Sequence, residues 1–352
     1  MSALAQRLGL RWPLIQAPMA GVQLHALTVA VSEAGALGSL PAAMLTPAAL
    51  RDELQAIHAA TERPWNLNFF CHAELAPDVQ AETAWRDALR PYYDELGVDP
   101  AKIAAGASRA PFGEEATVLV EQFRPRVVSF HFGLPPAPLL ERVQRSGAFV
   151  LSSATTVDEA RWLEAEGVDA VIAQGLEAGG HRGHFLSDEL SRQLGSFALL
   201  PQIKRAVRVP VIAAGGMADA EGVAAAMALG ADGVQLGTAY LLCPETTTSA
   251  VHRAALQSDA AAHTALTDLF TGRPARGIVN RVMRELGPMR VPPHPAFPRA
   301  TAALAPLRAA AEALGNGDFS PLWSGQNNSG CRAVPAAELT RALCRGFKGP
   351  EE

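Results

Sequence analysis

Eight short apolar runs, each closed by glycine or a polar residue and followed by sequence suited to a helix, constrain this chain more than any other feature. They are LIQA (Leu14–Ala17), GALGSL (Gly35–Leu40), PWNLNFF (Pro64–Phe70), RVVSFHFG (Arg126–Gly133), AFVLSS (Ala148–Ser153), DAVIAQ (Asp169–Gln174), VPVIAAGG from Val209 and DGVQLGT from Asp232. Runs this short and continuous suit parallel strands buried on both faces. The phrases GVDAV at Gly167 and GADGV at Gly230 repeat one helix-to-strand form. Eight strand–helix units predict an α/β fold, a (β/α)8 TIM barrel, rather than a doubly wound sheet.

Helix signals fall between the runs. Thr46 followed by Pro47 opens TPAALRDELQAIHAA, and Thr155 or Thr156 caps TTVDEARWLEAEG with acidic residues early, where they complement the helix dipole. A charged, helical excursion from about Ala73 to Val120, interrupted by Ser108–Gly113, separates the third and fourth strands. Beyond Cys243 the pattern changes: Thr246–Leu269 is Ala-rich and reads as helical, Gly272–Asn280 as extended, and Met289–Pro298 is proline-rich. Helices are expected over about Ala300–Leu314 and Pro335–Cys344. The predicted organisation is a barrel over 1–244, a helical cap over 245–320 and a segment returning to the barrel over 321–352.

Composition excludes several functions. A formal charge of -5 without a dense basic block argues against nucleic acid or an anionic membrane as partner. No run approaches the roughly 18 apolar residues of a membrane span, and the N-terminus lacks a secretory pattern. Cys71, Cys243, Cys331 and Cys344 form no CxxC pair, so no metal site is expected and the thiols read as reduced. A cytoplasmic protein, monomeric or homodimeric, is expected.

Chemistry in such a barrel belongs at the C-terminal strand ends. QGLEAGGHRGHF, Gln174–Phe185, places His181 among four glycines directly after a strand, a loop built for close backbone approach to a ligand. Gly215 with Gly216, and Gly237 with Thr238, follow the last two strands. Their backbone N–H groups, each pair preceding a helical segment, suit a phosphate cradle, although either pair alone reads equally well as a tight turn with no ligand. A histidine such as His181 either donates to an anion when protonated or accepts a proton when neutral. His131 lies at the end of the fourth strand, where it is a pocket residue or a polar member of a barrel layer.

Several segments together resemble the nitronate monooxygenase family, class I, formerly the 2-nitropropane dioxygenases: QAPMAGV at Gln16, NLNFFCH at Asn66, SFHFGLP at Ser129, QGLEAGGHRG at Gln174, PVIAAGGMAD at Pro210, GVQLGTAYLLCPE at Gly233 and PLWSGQ at Pro321. The glycine segments are shared with flavin-dependent enoyl-acyl carrier protein reductases of the FabK type. The resemblance implies FMN, held by Ala17, Met19, Asn68, Gln174, Gly179, Gly180, Gly215, Gly216, Gln235, Gly237 and Thr238, with Met19 equally readable as core packing. It implies His181 as catalytic and His131 as substrate-binding. The implied reaction is oxidation of an alkyl nitronate, propionate 3-nitronate foremost, by O2 to a carbonyl compound and nitrite. The alternatives are an NAD(P)H-dependent reductase of enoyl thioesters or quinones, and a non-enzymatic flavin- or phosphate-binding barrel. Arg273, Arg276 and Arg281 are cations of the cap segment; Arg281 is a candidate for a substrate carboxylate, with a solvated arginine the more usual reading.

Overall fold

The computed structural model describes residues 2–103, 109–289 and 293–347. Ser108, residues 290–292 of the proline-rich stretch and residues 348–352 of the last segment lie outside them. Strands β1 (Leu14–Gln16), β2 (Gly38–Pro41), β3 (Trp65–Phe70), β4 (Val127–His131), β5 (Phe149–Ala154) and β6 (Ala170–Gln174) follow the expected runs. A two-residue strand, β7 (Gly180–His181), interrupts the series before β8 (Val211–Ala214) and β9 (Gly233–Leu236). Apart from β7, all pair in parallel in chain order, with β1 beside β9. Ile15 bridges Leu37, and the Gln16 N–H donates to the Leu37 carbonyl at 2.9 Å, which closes the sheet into a barrel. No reversal of strand order occurs, as a barrel requires and a doubly wound sheet does not.

Period-two alternation assigns the two faces of each strand. Outward residues such as Leu67, Phe69, Val128, Phe130, Val150, Val171 and Val234 form the large cluster under the surrounding helices. Inward residues Ile15, Leu37, Val127, Leu151, Ile172 and Ile212 pack instead with Leu4, Ala5 and Leu8. The helix Ala3–Leu8 thereby plugs the N-terminal end of the barrel. Further up the strands the alternate positions turn polar: Asn66, Asn68, Ser129, Ser153 and Gln174, all buried. Asn66 Nδ2 donates to Ser39 Oγ at 3.0 Å and Ser129 Oγ at 2.9 Å, which lets these groups leave water.

The helix caps follow the sequence. Thr46 accepts from the Ala49 N–H, Thr156 from Glu159, and Asp219 from Gly222. Thr156 is therefore the cap residue, while the Thr155 hydroxyl donates to Glu159 Oε2 at 2.8 Å.

The segment Thr246–Leu269 is not helical throughout. It contains the helix Ala250–Leu256, a 3-10 turn at Asp259–Ala262 and then strand β10 (Thr264–Thr267), which pairs antiparallel with β11 (Ala275–Ile278). β11 in turn pairs with β7. The local preference of an Ala-rich run is overridden there by a ladder that satisfies its backbone and seats two β-branched threonines. A second apolar core joins Leu304, Leu307 and Phe319 to Trp85, Leu89 and Tyr93 of the helix Val79–Leu96. Trp85 Nε1 donates to the Ala300 carbonyl at 3.1 Å and the Tyr93 hydroxyl to Ala303 at 2.7 Å. This core joins a helix inserted between β3 and β4 to a helix that follows the last barrel strand. Among the described residues no helix is long and apolar enough to cross a membrane.

Candidate active site

The C-terminal strand ends open into a cleft with about 1300 Å³ of space between its walls, part of it open to solvent. Arg281, the candidate for a substrate carboxylate, does not line it, whereas every residue assigned above to the flavin, together with His181 and His131, lies on its wall. They divide into residues with groups turned to a ligand and residues already engaged with the protein.

His181 belongs to the first group. β7 is held to the cap by pairing of His181 with Ala275 and Gly180 with Arg276. Gly180 adopts φ 70, and a Cβ there would meet nothing within 4 Å, so its glycine serves the turn and leaves open space. The rings of Phe297, Trp323, Phe132 and Phe70 stand 5.3, 5.6, 6.0 and 6.1 Å from the His181 ring. Burial, followed by the nearby Arg109 guanidinium, holds its pKa well below the ordinary histidine value, so it is neutral at neutral pH. Nε2 lies 3.0 Å from Thr271 Oγ1, and that hydroxyl donates to the Arg273 carbonyl at 3.3 Å. The threonine oxygen is then the acceptor, Nε2 carries the proton, and Nδ1 keeps its lone pair.

His131 and Gln174 are engaged with the loop. His131 Nε2 lies 3.2 Å from the His181 carbonyl oxygen and Nδ1 3.1 Å from Ser153 Oγ, so Nε2 donates and Nδ1 accepts. Burial lowers its pKa to about 3. Gln174 Nε2 donates to the same carbonyl at 3.0 Å, and its Oε1 accepts from the Gly183 N–H at 2.8 Å. Two donors on one carbonyl fix the backbone of His181. Asn68 likewise commits its amide nitrogen to Ser129 Oγ and O, at 3.0 and 3.2 Å.

The glycines differ in what requires them. A Cβ on Gly179 would stand 2.5 Å from the Gly325 nitrogen, so that glycine admits the returning Ser324–Gly325 backbone. Gly215 and Gly216 take φ 104 and 78, conformations that turn successive N–H groups outward. Among the described residues, no protein acceptor takes the N–H of Gly215, Gly216, Gly237 or Thr238. The helix behind the first pair contributes less than expected, because Asp219 already caps it, and the second pair leads only into a three-residue 3-10 turn. The backbones of Ala17 and Met19 are also engaged: Ala17 N–H donates to the Leu236 carbonyl at 2.8 Å and Met19 N–H to Gln23 Oε1 at 2.9 Å. Their side chains pack toward Gly237, where a Cβ would stand 3.3 Å from Ala17 Cβ and 3.5 Å from Met19 Sδ. Gln235 Oε1 is buried with no hydrogen-bond partner among the described residues.

Sequence reasoning missed Phe70, Arg109, Ser153, Glu177, His252 and Trp323 on the same wall. It also missed Arg182, fully buried, whose guanidinium donates to Gln193 Oε1 at 2.7 Å and to the Gly175 and Gln174 carbonyls at 2.7 and 2.9 Å. Its place beside His181 in GGHRG was the available signal for Arg182; none marked Arg109.

A closed α/β barrel with a neutral, aromatic-walled histidine opposite a glycine donor cradle defines a barrel enzyme working at its C-terminal face. The chain belongs to the nitronate monooxygenase family, whose model matches residues 1–346, and it is an oxidoreductase. A nitronate monooxygenase of Pseudomonas aeruginosa is 42% identical over 344 residues, covering 97% of this chain and 98% of its own. The solved nitroalkane oxidase of Streptomyces ansochromogenes aligns with a TM-score of 0.87 at 36% identity over 97% of each chain. FabK of Thermotoga maritima, at TM-score 0.73 and 24% identity over 99% of this chain and 96% of its own, shares the fold.

Proposed function

We propose that the protein binds FMN in this cleft and oxidises small alkyl nitronates, propionate 3-nitronate among them, with O2 to carbonyl compounds and nitrite. The observation that carries the reading is the placement of His181, Phe70 and Trp323 in one cleft with Gly215, Gly216, Gly237 and Thr238. Those four donors suit a phosphate, at the loops where barrels commonly hold one. The unpartnered Gln235 Oε1 suits the N–H of a flavin pyrimidine ring. The Ala17 and Met19 side chains supply packing. Bound flavin supplies the redox chemistry, taking electrons from the substrate and passing them to oxygen.

The chain's own residues then have defined tasks. Phe70, Phe132, Phe297 and Trp323 exclude water around the reacting carbon. His131 and Gln174 hold the His181 backbone in place. Neutral His181 accepts the α-proton of a nitroalkane at Nδ1, and the resulting N–H donates to the nitronate oxygen. A nitronate arriving as the anion takes up one proton with it, because the anion restores the proton affinity that burial removed.

Oxygen uptake by the FMN-loaded protein on adding propionate 3-nitronate, without NADH or NADPH, tests the reading. Uptake with stoichiometric nitrite is expected; a flavin reduced only by nicotinamide would overturn it in favour of the reductase. Replacing His181 with Asn is expected to reduce kcat at least about 100-fold while the flavin spectrum persists. An active, flavin-replete variant would remove His181 from the chemistry.

A further inference from the structure

The three arginines singled out in the cap do not line the cleft. Arg281 lies outside it, bidentate with Glu95 at 2.7 and 2.8 Å and bonded to Glu285 at 2.9 Å. Arg276 donates to the Leu176 carbonyl at 3.0 Å and Thr264 Oγ1 at 3.3 Å. Arg273 lies 4.2 Å over the Phe132 ring and donates to the His184 carbonyl. Arg109 does line the cleft. Its guanidinium carbon stands 5.7 Å from the centre of the Phe297 ring, which is itself 5.3 Å from the His181 ring. Its Nη1 donates to Thr301 Oγ1 at 3.4 Å. Burial and then the charge of Arg308 lower its pKa, but only to about 10, so it remains a cation throughout the neutral range. The Arg109 cation and the His181 ring thus both stand against the one ring of Phe297, and both line the cleft.

Resting on the nitronate reading above, we propose that Arg109 is a specificity-determining residue that receives the carboxylate of a nitronate acid while His181 holds the nitronate end. A guanidinium stacked on an aromatic face keeps the N–H groups of its edge in plane, suited to a planar carboxylate. A short chain bearing a carboxylate at one end and a nitronate at the other can present its two anionic ends to two groups on this one cleft wall. An alkyl nitronate of the same length, charged only at its nitronate end, reaches the cation with a methyl group, which gains nothing there and desolvates it. The cleft accordingly selects dianionic nitronates.

The experiment compares kcat/KM for propionate 3-nitronate and propyl-1-nitronate in flavin-loaded wild type, Arg109→Lys, Arg109→Gln and Arg109→Leu. In parallel, the Kd values of 3-nitropropionate and 1-nitropropane are read from the flavin absorbance change under anaerobic conditions. The ratio favouring the carboxylate-bearing ligand is expected to fall about 30-fold in Arg109→Leu, mainly through KM and Kd, with Lys retaining part of it. Arg109→Gln keeps a polar side chain of similar reach and serves if the Leu variant does not fold. An unchanged ratio in the variants, or a wild type without preference, overturns the assignment. If wild type oxidises no nitronate, the nitronate reading falls, while the ratio of Kd values still decides whether Arg109 binds the carboxylate.

Discussion

Lowering the pH from 7.5 to 5 should destabilise this protein steeply, and the cause is a set of histidines buried in neutral form. His72, His184 and His252 are only 7%, 2% and 4% exposed. In each, burial is the main cause of a pKa lowered to about 4. An unfolded histidine titrates near its ordinary 6.5, so between 6.5 and 4 the unfolded chain binds protons that the native chain refuses. The stability at stake is therefore complete above pH 6.5 and is lost as pH falls below it. At pH 5 each such histidine costs about 2 kcal/mol and the three together about 6 kcal/mol, against a total stability of roughly 5–15 kcal/mol. His294 works in the opposite sense: burial pulls its pKa down, but Asp268 at 3.0 Å raises it overall, so its contribution is present at acid pH and lost as pH rises. One opposing group does not cancel three. Urea midpoints followed by circular dichroism at pH 7.5, 6.5, 5.5 and 5.0 measure the fall. A His252→Gln variant, which keeps a donor for the Trp323 carbonyl, should flatten the dependence by about 1.2 kcal/mol per pH unit near pH 5.5. A midpoint constant from pH 7.5 to 5, or a variant as steep as wild type, would refute the assignment of buried neutral histidines.

Two substitutions probe the cleft itself. Gly215→Ala places a Cβ 3.0 Å from the Ala178 nitrogen at φ 104, whereas Gly216→Ala at φ 78 meets Glu177 only at 3.7 Å; flavin Kd should rise more than tenfold in the first and less in the second, read by fluorescence titration, and equal effects would contradict the cradle geometry. Gln174→Leu deprives the His181 carbonyl of one donor and the Gly183 N–H of its acceptor; it should cost about 1–3 kcal/mol of stability and lower kcat while flavin stays bound, as thermal melts and absorbance spectra would show.

What the sequence disclosed and what it withheld follow from the range of the forces involved. β3 and β6 were legible because strands buried on both faces must be short, apolar and bounded. Thr46 and the pair Thr155–Thr156 announced helices because a cap bond spans only three residues. β7 carried no pattern of its own, since Gly180–His181 is a strand only by pairing with Arg276 and Ala275, nearly a hundred positions on. The location of Gln174 in the cleft was read correctly, but its amide points were committed to the His181 loop, a contact fixed by the fold of that loop. Arg109 and Phe297 come from segments without a motif and meet only in the fold, where Phe297 clusters with Phe70 and Phe132.

The three-stranded arrangement of β7, β11 and β10 carries a mechanical consequence. Because His181 is itself a rung of that ladder, the loop that carries it is tied directly to the 264–278 hairpin, and a displacement of the hairpin should carry the imidazole with it. A chimera that grafts another relative's cap onto this barrel must therefore reproduce the Ala275–His181 register, or it will carry a complete set of active-site residues with the histidine out of alignment.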